Sequence, residues 1–360
     1  MLAWVGFAIG VLGWACTVSS VIETTVVPRG TRSRITGAVA SSVQTGFQLI
    51  ADRFQRWERR DRVWALSGPT FLMLLLVAWL LLLVGSLTLV ILPFAHHSPR
   101  DSFLVAGSSL LTLGVAAPRN LVPLAVVFVG AATGLVVVAL QIAYLPTLYA
   151  AFNRREVQVT ILDSLAGSPA WGPEILARFS LIDGLDAMDM LYVRWTDWAA
   201  DLSESHAAYQ SLIYFRSPKP TRSWVVAFLA MLDAAALHLA LCPTTAPHST
   251  RRLLRVGYRS LQDIVEAVGL PPAPPPGEAE SDLTDADIEA AVAHLVMAGM
   301  PLERTAQEAM ADFRGWRVNY EVPAYGLAEH IDAVPALWSG KRRRRGVRLP
   351  PLRPERAGLE

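Results

Sequence analysis

Between two long apolar runs lies the stretch Ser-Ser-Leu-Leu-Thr-Leu-Gly-Val-Ala-Ala-Pro, residues 108 to 118. It holds no ionisable group. Its chemistry is that of hydroxyls and peptide groups: Ser108, Ser109 and Thr112 can bond neighbouring backbone, and Thr112, Leu113, Gly114, Val115 and Ala116 suit only extended or irregular chain. Gln141 is the one strongly polar side chain in the run from Leu121 to Tyr149. Asp183, Asp186 and Asp189 recur every three residues. They fit either a metal cluster or the acidic first turns that oppose the positive end of a helix. His96 and His97 fit a pH or metal site, since histidine titrates near 6.5, or plain loop residues. Cys16 and Cys242 are expected as two buried thiols. No CxxC pair, nucleotide fingerprint, nucleophile elbow or HExxH occurs. No catalytic residue, metal or cofactor is therefore expected, and the chain is not read as an enzyme.

The elements that must position these residues are apolar helices. The chain has 360 residues, 52% of them hydrophobic, and the long apolar runs fall almost entirely in the first 150. Run one, residues 4 to 22, lacks the basic start and small-residue cleavage site of a secretory signal. It is expected as a retained span, and its Gly, Ser and Thr suggest contact with protein as well as lipid. Run two, 71 to 94, is nearly solid Leu and Val. Run three, Leu121 to about Tyr149, would be roughly 43 Å long as a helix, beyond a hydrocarbon core of ~30 Å. The expected fold class is an all-α membrane protein: three transmembrane helices with a re-entrant loop, followed by an α-helical cytosolic domain.

Net charge is +1, so no global field calls for nucleic acid. Arginine is unevenly spread. Residues 28 to 65 hold eight Arg, while 95 to 120 hold only Arg100 and Arg119. Arg154 and Arg155 follow run three. Basic loops stay inside, so the expectation is an inner-membrane protein with its N-terminus outside and everything after about residue 150 in the cytoplasm. Within the inner segment, Val43, Phe47, Ile50, Phe54 and Trp57 fall at helical spacing, with Arg53, Arg56, Arg59 and Arg60 largely on other faces. Such a helix can lie among anionic headgroups or pack on the following domain.

A backbone that enters the bilayer and leaves on the same side must line water or be buried in protein. Residues from Asp101 suit a short helix capped by Asp101 or Ser102, and Pro118 and Pro123 bracket the return. Span, short helix, Thr-x-Gly loop and span resemble the pore module of tetrameric potassium-type channels. More loosely, the chain is similar to bacterial membrane proteins with such a module and a helical cytosolic domain. In that family four TVGYG loops present carbonyls to the ion. The resemblance covers roughly residues 70 to 155 and implies a selectivity filter of Thr112, Leu113, Gly114, Val115 and Ala116, preceded by a pore helix carrying Ser108 and Ser109. Val115 replaces the aromatic, Ala116 the second glycine and Ala117 the following Asp. An alanine held left-handed at 116 would cost roughly 1–2 kcal/mol. Gly130, Gly134, Val137, Gln141 and Leu145 fall near one helix face. They fit an inner vestibule, with Gly134 as a hinge and Pro146 as a kink, or equally a small-xxx-small packing face. The resemblance implies a homotetramer passing monovalent cations, K+ among them. The alternative is a non-conducting, membrane-anchored interaction or signalling scaffold.

The organisation expected along the chain is a first span (1–27), a basic amphipathic segment (28–66), the pore module (67–152, its re-entrant loop at 100–118), a helical cytosolic domain (153–270), a Pro-rich linker (271–282), a helical C-terminal segment (283–335) and a basic tail (336–360). Gly167-Ser168-Pro169 should break one helix and Gly172-Pro173 start the next. Leu185, Met188, Leu191, Trp195, Trp198 and Leu202 form a helix-period stripe. Residues 223 to 241 are apolar enough to span but hold Asp233 and His238, so they are expected as a buried core helix. Thr284 and Asp287 approach a capping box. The tail, with five basic residues from Lys341 to Arg345, fits anionic lipid, nucleic acid or solvent. A cytosolic ligand is left unidentified.

Overall fold

A computed structural model describes residues 2–27, 33–94, 98–116, 118, 121–271 and 283–340. Arg29, Arg32, His96, His97, Ala117, Arg119, most of the Pro-rich linker and residues 341–360 of the basic tail lie outside the described residues, whereas Trp338, expected in that tail, is buried in the core because its ring packs on Phe313 and Trp171. Among those described there is no β-strand, and thirteen α-helices succeed one another: α1 (Leu2–Thr25), α2 (Arg34–Ala51), α3 (Trp57–Trp64), α4 (Ser67–Ile91), α5 (Pro99–Leu110), α6 (Leu121–Ala166), α7 (Gly172–Leu181), α8 (Met188–Ala208), α9 (Trp224–Leu241), α10 (His248–Val268), α11 (Asp285–Met297), α12 (Ala306–Arg317) and α13 (Glu321–His330). Among the described residues, four stretches are long and apolar enough to cross a membrane: Ala3–Thr25, Trp57–Ile91, α6 and α9. The chain divides into two compact units, Met1–Gln48 with Leu66–Ala150, and Leu49–Ala65 with Ala151–Glu360.

In the first unit α1 lies against α4 because its glycines permit it. A Cβ at Gly10 would stand 2.6 Å from the Ser86 carbonyl oxygen, and one at Gly13 2.6 Å from Ser86 Oγ. Small residues let helix backbones approach where lipid supplies no hydrophobic drive. Side-chain hydrogen bonds then fix the register. Trp79 Nε1 donates to Ser20 Oγ at 3.0 Å, and Trp14 Nε1 to Thr133 Oγ1 on α6 at 3.3 Å. Trp4, Phe7 and Phe94 meet edge to face, with centroids 5.6–5.8 Å apart. Cys16, expected to be buried, is exposed on α1, whereas Cys242 is buried. The α1 stripe turned to α4 runs through the glycines, and Cys16 falls off it.

The expected amphipathic helix through 43–57 is broken. α2 ends at Ala51 and α3 starts only at Trp57. Trp57, Arg60, Asp61 and Trp64 are buried in the second unit. Trp57 Nε1 donates to the Pro220 carbonyl at 2.7 Å, Arg60 pairs with Asp332 at 2.5 Å, and Asp61 accepts from Arg216 at 2.7 Å. Ile50 remains exposed.

The second unit is built around α9, every residue of which is buried. Close approach is again made by glycines: a Cβ on Gly172 of α7 would lie 2.8 Å from the Ala230 carbonyl oxygen, and one on Gly257 of α10 would collide with Leu232. Met188, Leu191, Trp195, Trp198 and Leu202 on α8 are all buried. The helix break falls where expected, with α6 ending at Ala166 and α7 opening at Gly172. Thr284–Asp287 and Thr305–Glu308 both close capping boxes. α11 to α13 share one core with α7 to α10.

Candidate pore loop

α5 begins at Pro99, two residues before the expected start, with the fixed φ of proline suited to a first helical position. Its N-cap is Ser98, and no side-chain cap bond forms. Ser102 is buried on the inner face instead of capping. That face, Ser102, Ala106, Ser109 and Leu110, is made of small residues up to its last position. It seats on α4 and on the two small positions of α6. A Cβ at Gly130 would stand 2.8 Å from Ser109 Oγ and 2.9 Å from Leu87 Cδ1. One at Gly134 would drive into the Leu110 carbonyl oxygen, with the carbonyl carbon 2.9 Å away. Ser109 Oγ donates to the Val127 carbonyl at 2.5 Å. The C-terminal end of α5 thus meets α6 at Gly134, about 20 Å along its axis from Leu121 at 1.5 Å per residue. That is near the middle of the uncharged run from Leu121 to Tyr149.

α5 ends in a Schellman turn. The Leu113 N–H donates to the Ser108 carbonyl at 2.8 Å and the Thr112 N–H to the Ser109 carbonyl at 3.0 Å. This geometry needs a left-handed residue, and Thr112 occupies it at φ 54°. A β-branched residue there is strained. Gly114 follows at φ 68°. Ala116 is not among the residues of positive φ; its N–H donates to Ser108 Oγ at 3.1 Å. The strain expected at Ala116 is therefore borne by Thr112. The amides of Thr112, Leu113 and Ala116 are all tied back to α5. Among the described residues, the carbonyls of Leu111 to Val115 accept no hydrogen bond. Leu113 and Val115 are 61% and 75% exposed. Three of the loop's amides are thus tied to α5, and its apolar side chains are exposed.

Ser108, Ser109, Thr112 to Ala116, Gly130 and Gly134 are thus gathered at the end of α5. Gln141 and Pro146 are not; they lie two and more turns further along α6. Val137 is buried, Gln141 half-buried and Leu145 exposed, its place on the inward stripe taken by Tyr144 and Leu148. Gly130 and Gly134 serve as packing positions for α5. α6 continues through the exposed Pro146 to Ala166.

Elsewhere several ionisable groups are engaged in packing. Asp189 accepts from Ser249 Oγ at 2.6 Å, while Asp183 and Asp186 are exposed at the turn before α8. No group of three His, Cys, Asp or Glu gathers among the described residues. Sequence reasoning missed the buried charges of the second unit: Arg60, expected on the polar face of its helix, is buried, and so are Arg155 and Arg317. Arg155 pairs with Glu156 at 2.9 Å and donates to the Leu212 and Phe215 carbonyls. Beside it His206 is held down to about 3 by burial and by the Arg155 charge. Arg317 meets Asp233 at 2.5 Å between the rings of Phe313, Tyr325 and Trp338. Their only signal in the sequence is an Arg at an otherwise inward helical position. No protein-family model, no curated protein and no solved structure matches this chain.

Proposed function

We propose that residues 67–152 form a pore-type module, that four copies assemble around it, and that the assembly conducts monovalent cations. The observation that carries this reading is the loop after α5. Among the described residues, the amides of Thr112, Leu113 and Ala116 are bound to α5, the carbonyls of Leu111 to Val115 accept no hydrogen bond, and the end of α5 lies midway along the apolar run of α6. Free carbonyls at membrane depth are tolerated only against protein or water, and carbonyls are the ligands that replace a cation's water. The negative end of the α5 dipole points the same way. One loop cannot surround an ion, so cyclic symmetry follows.

In this reading α1, α4 and α6 are the spans and α5 is re-entrant. α9 is the axis of a cytosolic unit: it is sheathed by its own chain, and the outer face of α10 carries exposed Arg251, Arg252, Arg255 and Arg259. Arginine counts then place the N-terminus outside. A second reading, a non-conducting scaffold, is favoured by Ala116, whose amide is tied to Ser108 and whose φ departs from the left-handed conformation expected of a second filter glycine.

Potassium and sodium flux into liposomes decides between them, with Gly114→Asp as the comparison. Gly114 has open space around it and a left-handed φ that Asp tolerates. The channel predicts flux in the native protein and its loss or change of selectivity in the variant. Equal leak from both, no flux from either, or a strictly monomeric mass in detergent removes it.

A further inference from the structure

The helix α3 has two faces of different kind. Trp57, Arg60, Asp61 and Trp64 are clamped into the second unit, and the Arg216 guanidinium lies 5.7 Å over the Trp57 ring. This fixes the rotation of the helix. The opposite side, with the turn leading into it, presents Arg53, Arg56, Arg59 and Arg62, all exposed and none in an ion pair among the described residues. Glu58 is the one exposed acid of α3. Asp52, just ahead of it, is occupied by Arg60 at 2.8 Å.

We infer that this face docks on the anionic headgroups of the membrane that α4 enters. Charge complementarity is one ground. The other is chain length: Arg62 precedes Ser67, the first residue of α4, by so few residues that even extended backbone reaches only roughly 18 Å. If α4 spans, the arginines cannot stand far from the headgroup layer. Arginine suits this role because its planar fork binds phosphate oxygens in pairs and is weakly hydrated. The contact also gives α3 a reason to expose four like charges side by side, which repel one another when no anion lies between them. The inference needs α4 as a span and is independent of whether the loop conducts, so the flux result does not bear on it.

The test is binding of dansyl-labelled phosphatidylglycerol to the full-length protein in mixed micelles of zwitterionic lipid, read by energy transfer from tryptophan. Each Arg→Gln change at 53, 56, 59 or 62 should weaken binding about fivefold, taking ~1 kcal/mol per basic residue at an anionic surface. The quadruple Gln variant should lose it, and the quadruple Lys variant should keep most of it. Rising salt should weaken native binding over the same range. The control removes equal charge from α10, by Gln at Arg251, Arg252, Arg255 and Arg259. An equal loss in that control would mean net charge alone is read and would overturn the assignment. So would unchanged binding in the α3 quadruple variant, or a short RNA that displaces the lipid at equimolar concentration. Melting temperatures of all variants within a few degrees of the native protein confirm that folding is not what changed.

Discussion

The seat of α5 on α6 can be tested with a single methyl group. In Gly134→Ala the new Cβ meets the carbonyl of Leu110, which is backbone and cannot rotate away. α5 must withdraw along its whole length. Overpacking alone costs about 1–3 kcal/mol, and the Ser109–Val127 hydrogen bond, worth about 1 kcal/mol, is stretched with it. About 3 kcal/mol is expected. Gly130→Ala meets only the ends of Ser109 and Leu87 side chains, which can give, so about 1 kcal/mol is expected there. Gly85→Ala finds nothing within 4 Å and should gain the 0.5–1 kcal/mol by which alanine exceeds glycine in a helix. Thermal unfolding of the full chain in detergent, followed by circular dichroism, ranks them. At about 2–4 °C per kcal/mol, Gly134→Ala should melt roughly 6–12 °C below the native protein and Gly85→Ala at or above it. If Gly134→Ala melts with Gly85→Ala, α5 does not rest on α6, and the half-way position of the loop loses its support.

Thr112→Gly should raise the melting temperature, because glycine relieves left-handed strain of about 1–2 kcal/mol and returns part of it as unfolded-state entropy. Arg317→Met should cost about 3–5 kcal/mol in denaturant melts, since it strands Asp233 and Glu321 in the core; adding Asp233→Asn should recover part of the loss. His206 gives a pH signature. Its folded pKa lies at about 3 against 6.5 unfolded, so its contribution is complete above pH 6.5 and is lost as the pH falls from 6.5 towards 3, by up to about 1.4 kcal/mol per unit. His206→Gln should flatten that part of the slope in melts between pH 7 and 5, leaving the part due to His238, which burial holds down to about 4, and to His330, which burial also holds low.

What the sequence made legible follows from the range of the interactions involved. Apolar runs and helix stops are local, so α1, α4, α6, the break after Ala166 and the Thr284–Asp287 box could all be read from neighbours in the chain. The interruption between α2 and α3 could not. The apolar spacing from Val43 to Trp57 is helical throughout, but Trp57 is drawn to the Pro220 carbonyl and Arg60 to Asp332, partners more than 160 residues away. Tertiary capture overrode a continuous local pattern. At the loop, Thr112 and Gly114 were visible as residue types, but the position that carries the strain was not. A Schellman turn places its left-handed residue by where α5 stops, and α5 stops where Leu110 meets Gly134.

α9 shows why composition alone does not decide what a helix is for. By length and hydropathy it belongs with α1, α4 and α6. The difference lies in the neighbours. In the proposed reading α4 and α6 face lipid and can leave Leu81, Phe128 or Ile142 uncovered, because the solvent beside them is as apolar as they are. α9 leaves nothing uncovered, and its own Asp233 and His238 are met from within the unit by Arg317, Tyr320 and Tyr192. The helix that covers it, α10, buries Leu253, Leu254, Leu261 and Ile264 inward and turns its arginines out. Placing α9 across a bilayer would bring those arginines into hydrocarbon, at about 2.5–3.5 kcal/mol each on the insertion scale. Four of them outweigh what an 18-residue apolar helix gains from lipid, since α9 is already out of water in the folded unit.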